Sequence, residues 1–392
     1  MDVLCNLRPK PSLPFAGKLR VIDFSLSNCI HSQVRSIGVL VDYQRSYMAD
    51  YLGEWAVEKA GLASIFALQP ESGSYTRTSD AGYQNLAYLD RQLGNSVLVL
   101  AGDHVYRMDY CKMVAFHEKM AADAVVGVMR VPIAEAHRFG TVVVNDEGRI
   151  QEFVEKSSRP LSTMASMGIY VFNKDILANR LVEDALITDS PHDFGYAVLP
   201  GMVKHDRVFA YELNGCWQDI GTVEAYCQAN MELLIACPRF SIDGKGPVCR
   251  DKSALPMPEG SKDGKVVNSL ISPGCIIRGR VEYSVLSPGV HFEEHAIVRN
   301  SVVIANTVVG YHSVVDSCII DDGVQAGRSS YIGLGSHPVP GDCAITLVGK
   351  DVVVPPHIAI GCRCKVQPNV GPVDFRASLV PSGTVVLSSS LT

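Results

Sequence analysis

The sequence predicts two architectures in series, an α/β domain with a mostly parallel sheet and then a parallel β-helix. Three observations carry this reading. Helix-like and strand-like segments alternate from Val21 to about Leu234; the texture changes near Ser241; and beyond it short apolar triplets recur every 15 to 17 residues, three of the four followed by Pro-Gly or Asp-Gly turns. The resulting boundaries are 1–240 for the first domain, 241–265 for a linker and 266–392 for the β-helix. A chain of 392 residues is too long for one ordinary core, so two domains are expected.

In the first domain, Val21 to Arg35 reads as a helix and Ile37 to Val41 as a short buried strand. A helix over Ala81 to Leu93 leads into a strand over Ser96 to Ala101, which breaks at Gly102-Asp103. Strands follow at Ala124 to Val131, Thr141 to Val144 and Met167 to Phe172, then a helix at Val223 to Leu234. Ile242 to Lys265, with DGKGP and EGSKDGK, reads as a linker. The triplets begin at Ser269, Ser284, Ser301 and Ser317, and the tail continues through Ile345 to Val348, Val352 to Pro355 and Ile358 to Gly361. Such short units stack coil on coil; a β-sandwich would need stronger Asn-Gly hairpin signals.

Apolar residues at 47% and charged residues at 19% describe a well-packed protein. A net charge of -6 tells against nucleic-acid binding, which demands a basic face. No apolar run approaches the roughly 20 residues of a membrane span, and MDVLCNLRPKP has no apolar core of a secretory signal. The twelve cysteines form no C-x-x-C pair, and Cys362 and Cys364 read as ordinary thiols, so a reduced, cytoplasmic protein is expected.

Five motifs offer chemistry. In Gly102-Asp103-His104-Val105-Tyr106 a carboxylate leaves a buried strand, where α/β sheets bind ligands, and it can hold a divalent cation or cap a turn. In Trp217-Gln218-Asp219-Ile220-Gly221-Thr222 a second strand-end aspartate makes a metal site more credible, with Thr222 as a helix N-cap. Arg8, Lys10, Lys18 and Arg20 cluster among prolines and a glycine, either as a rigid loop facing an anion or as a solvated tail. Glu155-Lys156 ends FVEK, either as a solvated pair or as ligands for a sugar's hydroxyls and its phosphate. Ser166, in ASMGIYVF, reads as strand punctuation.

In order, KPSLPFAGKLRVIDFSLSNC, LAGDHVYRMDY, RFGTVVVNDEGRIQEFVEK, ASMGIYVF and WQDIGTVEAYCQANMEL resemble the ADP-glucose pyrophosphorylase (glucose-1-phosphate adenylyltransferase) family across nearly the whole first domain. The resemblance implies a Rossmann-like nucleotidyltransferase domain, a left-handed β-helix, and formation of ADP-glucose and pyrophosphate from ATP and glucose 1-phosphate. It further implies Mg2+ on Asp103 and Asp219, phosphate on Lys10, glucose 1-phosphate on Glu155, Lys156 and Ser166 with Gly140 and Trp217 lining the pocket, and nucleotide near Thr78 and Asp80. A homotetramer, or a hetero-oligomer with a related subunit, is implied as well. The chain departs from the family in four places. Met1 falls where the family's glycine loop ends, so the expectation is a start upstream and weak ATP binding without it. Arg77 replaces the glycine of G-T-A-D, Tyr196-Ala197 replaces a Lys-Asp pair, and Leu7 occupies an activator-lysine position. Three readings compete with an active adenylyltransferase: a catalytically silent regulatory subunit, a transferase for another nucleotide or sugar, and an acyltransferase using His291, His295 or His312.

Overall fold

A computed structural model describes residues 1–71, 73–235, 259–260, 264–335 and 344–389. Most of the expected linker, 241–265, lies outside the described residues. The alternating segments form strands β1 (Ser36–Leu40), β2 (Ser64–Leu68), β3 (Ser96–Leu100), β4 (His104–Tyr106), β5 (Ala124–Arg130), β6 (Thr141–Val144), β7 (Ile150–Val154), β8 (Met164–Asn173), β9 (Val208–Glu212) and β10 (Trp217–Asp219). Local chemistry starts the intervening helices. Asp109 accepts from the Cys111 N–H ahead of helix Tyr110–Lys119, and Asn173 accepts from Asp175 and Ile176 ahead of Lys174–Ala185.

The main sheet runs β9-β5-β8-β6-β7, with β3 also on β8. It is mixed rather than mostly parallel. β5 and β9 are parallel, but β8 runs antiparallel to β3, β5 and β6, and β6 antiparallel to β7. The apolar pattern of a buried strand is the same in either direction, so the sequence signal is blind to this reversal. β1 and β2 form a separate parallel pair. The helix expected over Ala81 to Leu93 is two, Thr78–Gln84 and Leu86–Asp90. At the break Asn85 turns its amide back onto the Ala81 carbonyl at 2.9 Å and the Tyr75 hydroxyl at 3.0 Å, competing with the helix ladder. The last helix is α-helical over Val223–Met231 and tightens to a 3-10 turn at Glu232–Leu234.

Among the described residues, the recurring triplets build three parallel ladders of six, seven and seven strands. Like residues stack in columns, Val281 on Val298 on Val315 on Ile332, and Leu286 on Val303 on Ile320 on Val348, and these fill the core. Serines add a polar ladder, each hydroxyl accepting an N–H from the next coil: Ser269 from Ser284, and the buried Ser284 from Ser301 and Ser301 from Cys318. The fourth repeat is therefore in register at Cys318, one residue later than the Ser317 start read from the sequence. Ser317 instead turns the corner at φ 53°, as Asn268, Tyr283 and Asn300 do on the coils before it. His295 and His312 stack at 4.7 Å between ring centroids on two such corners, at φ 60° and 57°.

The chain forms two compact units. One comprises Met1–Asp23, Asp103–Val105 and Gln218–Thr392, and the other Phe24–Gly102 and Tyr106–Trp217. Among the described residues, no helix is long and apolar enough to cross a membrane.

Candidate active site

In the first unit, the N-terminal segment is held rigid by its own prolines. Pro9 is extended at φ -65°, and Lys10 opens the 3-10 turn Lys10–Ser12, which the Ser12 hydroxyl closes onto the Pro9 carbonyl at 2.7 Å. A hairpin follows, Phe15 opposite Leu19, with Gly17 at φ 79° in its turn. Helix Val223–Met231 clasps it, Tyr226 donating to the Pro14 carbonyl and the Asn230 amide oxygen accepting from the Ala16 N–H at 3.0 Å. The Thr222 hydroxyl caps this helix on the Ala225 N–H at 3.1 Å, which is its N-cap reading.

This frame brings three segments together. Lys10 Nζ lies 2.7 Å from Asp103 Oδ2 and 3.9 Å from Asp219 Oδ1. His104 Nε2, which the sequence reading passed over, lies 3.6 Å from Asp103 Oδ1 and 3.8 Å from Asp219 Oδ1. Nothing in the sequence marks His104 except its place between Asp103 and the rest of β4. Burial pushes the Asp103 carboxyl up, but His104 and Lys10 outweigh it and hold the group below its ordinary value. Two carboxylates thus converge on one small volume. Among the described residues no set of three or more His, Cys, Asp or Glu side chains could cage a metal. A two-carboxylate corner suits Mg2+, which completes its shell with water and phosphate oxygens, so the residues fit that ion.

In the second unit, Glu155 sits between two glycines. A Cβ on Gly140 would fall 2.5 Å from Glu155 Oε2, and so would one on Gly195. The carboxylate occupies a slot that only glycine walls leave open. Burial raises its pKa, Lys156 lowers it and Asp193 raises it again, with a net upward shift. Lys156, at φ 45°, follows the slot, with Nζ 3.9 Å from Glu155 Oε1 and a side chain 57% exposed. Ser166 is buried just before a bulge in β8, where the register shifts between Ser166 and Tyr170 around Gly168 at φ 64°. Bulges re-aim side chains, and here the Ser166 N–H donates to the Gly140 carbonyl at 2.7 Å, tying serine to slot. Trp217 packs on Phe139 at 5.2 Å between ring centroids, next in sequence to Gly140.

Thr78 and Asp80 are engaged by the protein. The Thr78 hydroxyl donates to Asp193 Oδ2 and accepts from the Phe194 N–H, both at 3.0 Å, and Asp80 accepts from the Thr76 N–H and the Gln84 amide. Asp193 also caps the turn carrying Gly195 and Tyr196. Arg77 and Tyr196, two of the departures from the family pattern, meet: the guanidinium lies 5.9 Å from the ring centroid. No local signal in the sequence shows that Gly195 walls the slot.

Comparison with known proteins identifies the family. Residues 4–235 match the family model described as nucleotidyl transferase, and residues 255–338 the one described as GlmU-like, C-terminal hexapeptide, the repeat of left-handed β-helices. The chain is 36% identical to the glucose-1-phosphate adenylyltransferase of Acetivibrio thermocellus, over 100% of this chain and 96% of that protein. It is 39% identical to that of Thermomicrobium roseum, over 98% and 94%, and 38% identical to that of Fervidobacterium nodosum, over 92% and 90%. With two strand-end aspartates beside a lysine, a glycine-walled glutamate and relatives matched almost end to end, the chain belongs to the glucose-1-phosphate adenylyltransferase family of nucleotidyltransferases.

Proposed function

We propose that this chain converts ATP and glucose 1-phosphate to ADP-glucose and pyrophosphate, supplying glucosyl units for glycogen or starch. The observation that carries the reading is the convergence of Asp103 and Asp219 on Lys10. A phosphate oxygen of glucose 1-phosphate attacks the α-phosphorus of ATP in line, and the bond from that phosphorus to the bridging oxygen breaks as pyrophosphate leaves. Lys10 grips phosphate and offsets the charge spreading over the oxygens in the transition state. Asp103 and Asp219 hold Mg2+, which supplies further charge neutralisation when bound. Glu155 accepts from the sugar's hydroxyls, Lys156 holds its phosphate, and Ser166, Gly140 and Trp217 complete the pocket. Thr78 and Asp80 serve the nucleotide side by folding the turn that bears Arg77. We place the protein in the cytoplasm, in keeping with free, buried thiols such as Cys29, Cys275 and Cys318, and as a homotetramer or an assembly with a related subunit.

The test is pyrophosphate release from glucose 1-phosphate with each nucleoside triphosphate in turn. Release with ATP well above the others supports the reading. Preference for another triphosphate or another sugar phosphate overturns it, and substrate binding without turnover marks a regulatory subunit instead. Light scattering after size exclusion checks the assembly.

A further inference from the structure

One ion pair of the first unit has no place in the chemistry above. Arg8, 4% exposed, donates through Nη2 to Oδ1 of Asp321, 1% exposed. Stripping water from two charges costs enough that an apolar pair of similar volume commonly serves stability as well. Fold stability is thus a poor reason for this pair, and its neighbours suggest a better one.

Asp321 follows strand Cys318–Ile320, in the middle of the coil stack, and is tied in place: its carboxylate accepts from the Asp322 N–H at 2.7 Å and its carbonyl from the Thr307 hydroxyl at 3.0 Å. Arg8 therefore docks on a rigid point. Lys10 is two residues further, across Pro9 and ahead of Pro11, with Ser12 closing the turn. Proline removes most of the backbone freedom between the docked guanidinium and the lysine. Further upstream, the Asn6 amide donates to Gln367 of the same β-helix at 2.8 Å.

We propose that Asp321 is a positioning residue for adenylyl transfer: by fixing Arg8 it sets where Lys10 Nζ stands against Asp103 and the substrate's phosphates. The β-helix then reaches the reaction through one carboxylate rather than serving only as a scaffold. This rests on the reading of Lys10 as the phosphate-gripping lysine. Misplacing a catalytic group by about 1 Å can cost on the order of a hundredfold in rate. A group that acts on charge developing in the transition state loses turnover rather than ground-state affinity.

The experiment is a double-mutant cycle between Lys10→Ala and Asp321→Leu on the full chain, with kcat and the KM for glucose 1-phosphate measured at saturating Mg2+ and folding followed by circular dichroism. We expect Asp321→Leu to lower kcat by about ten- to a hundredfold with little change in that KM, and to add almost nothing on the Lys10→Ala background. Asp321→Asn, which keeps an acceptor for Arg8, should recover part of the loss. If Asp321→Leu does not fold, Arg8→Lys, which keeps the charge but changes its reach, takes its place in the cycle. A folded Asp321→Leu with unchanged kcat, or effects that multiply independently, overturns the proposal. A harmless Lys10→Ala overturns the reading of Lys10 beneath it.

Discussion

The Lys10–Asp103–Asp219 corner and the Glu155 slot use the same kind of group in opposite electrostatic settings. At the corner, His104 and Lys10 press against Asp103 and hold it ionised against the pull of burial. At the slot, burial and nearby Asp193 raise Glu155, and the adjacent Lys156 offsets them only in part. A carboxylate set among cations suits a divalent ion and phosphates whose charge changes during reaction. One set among glycines, with its charge poorly paired, suits neutral hydroxyls that donate to it. The difference teaches that the corner should govern turnover and the slot affinity for the sugar phosphate.

The largest effect should come from the corner. Asp103→Asn keeps the shape but removes the charge, and kcat should fall by about a thousandfold with folding nearly unchanged. A loss below about tenfold at saturating Mg2+ would remove Asp103 from the metal site. The slot should answer differently. Lys156→Ala should raise the KM for glucose 1-phosphate by about ten- to thirtyfold while sparing both kcat and the KM for ATP; equal weakening toward both substrates would erase the contrast.

Gly195→Ala sharpens the comparison further. Its Cβ meets the far end of the Glu155 side chain at 2.5 Å, so the carboxylate swings aside and the fold survives. The KM for glucose 1-phosphate should rise by about tenfold, with the melting temperature shifted by no more than about 3 °C. Gly140→Ala adds an approach of 2.7 Å to the Phe153 ring and should cost more stability. An alanine at 195 without effect on either constant would mean that the slot does not hold Glu155 for the sugar.

The smallest effect concerns pH. Because Glu155 has a higher pKa in the folded chain than in the unfolded one, the native state binds its proton more tightly. Ionised Glu155 therefore costs stability at neutral pH, and that cost fades as pH falls through the raised value. Glu155→Gln should raise the melting temperature by about 1–3 °C at pH 7.5, and scanning calorimetry should find the gain shrinking toward pH 4. A gain that grows on acidification would reverse the sign of the argument.

Much of this was legible in the chain because its signals are local. The triplets at Ser269, Ser284 and Ser301 announce a stack of coils, since every coil must bury the same short apolar face. Asp103 follows an apolar run and Asp219 ends a short strand, so each carries its strand-end position with it. Other features depend on partners far away in sequence, and there the tertiary structure decided. The direction of β8, the one-residue shift from Ser317 to Cys318, the walling of Glu155 by Gly195 and the docking of Arg8 on Asp321 leave no local trace. Periodicity and strand ends come from each residue's immediate neighbours, whereas direction, register and charge pairing are settled only when distant segments exclude water together.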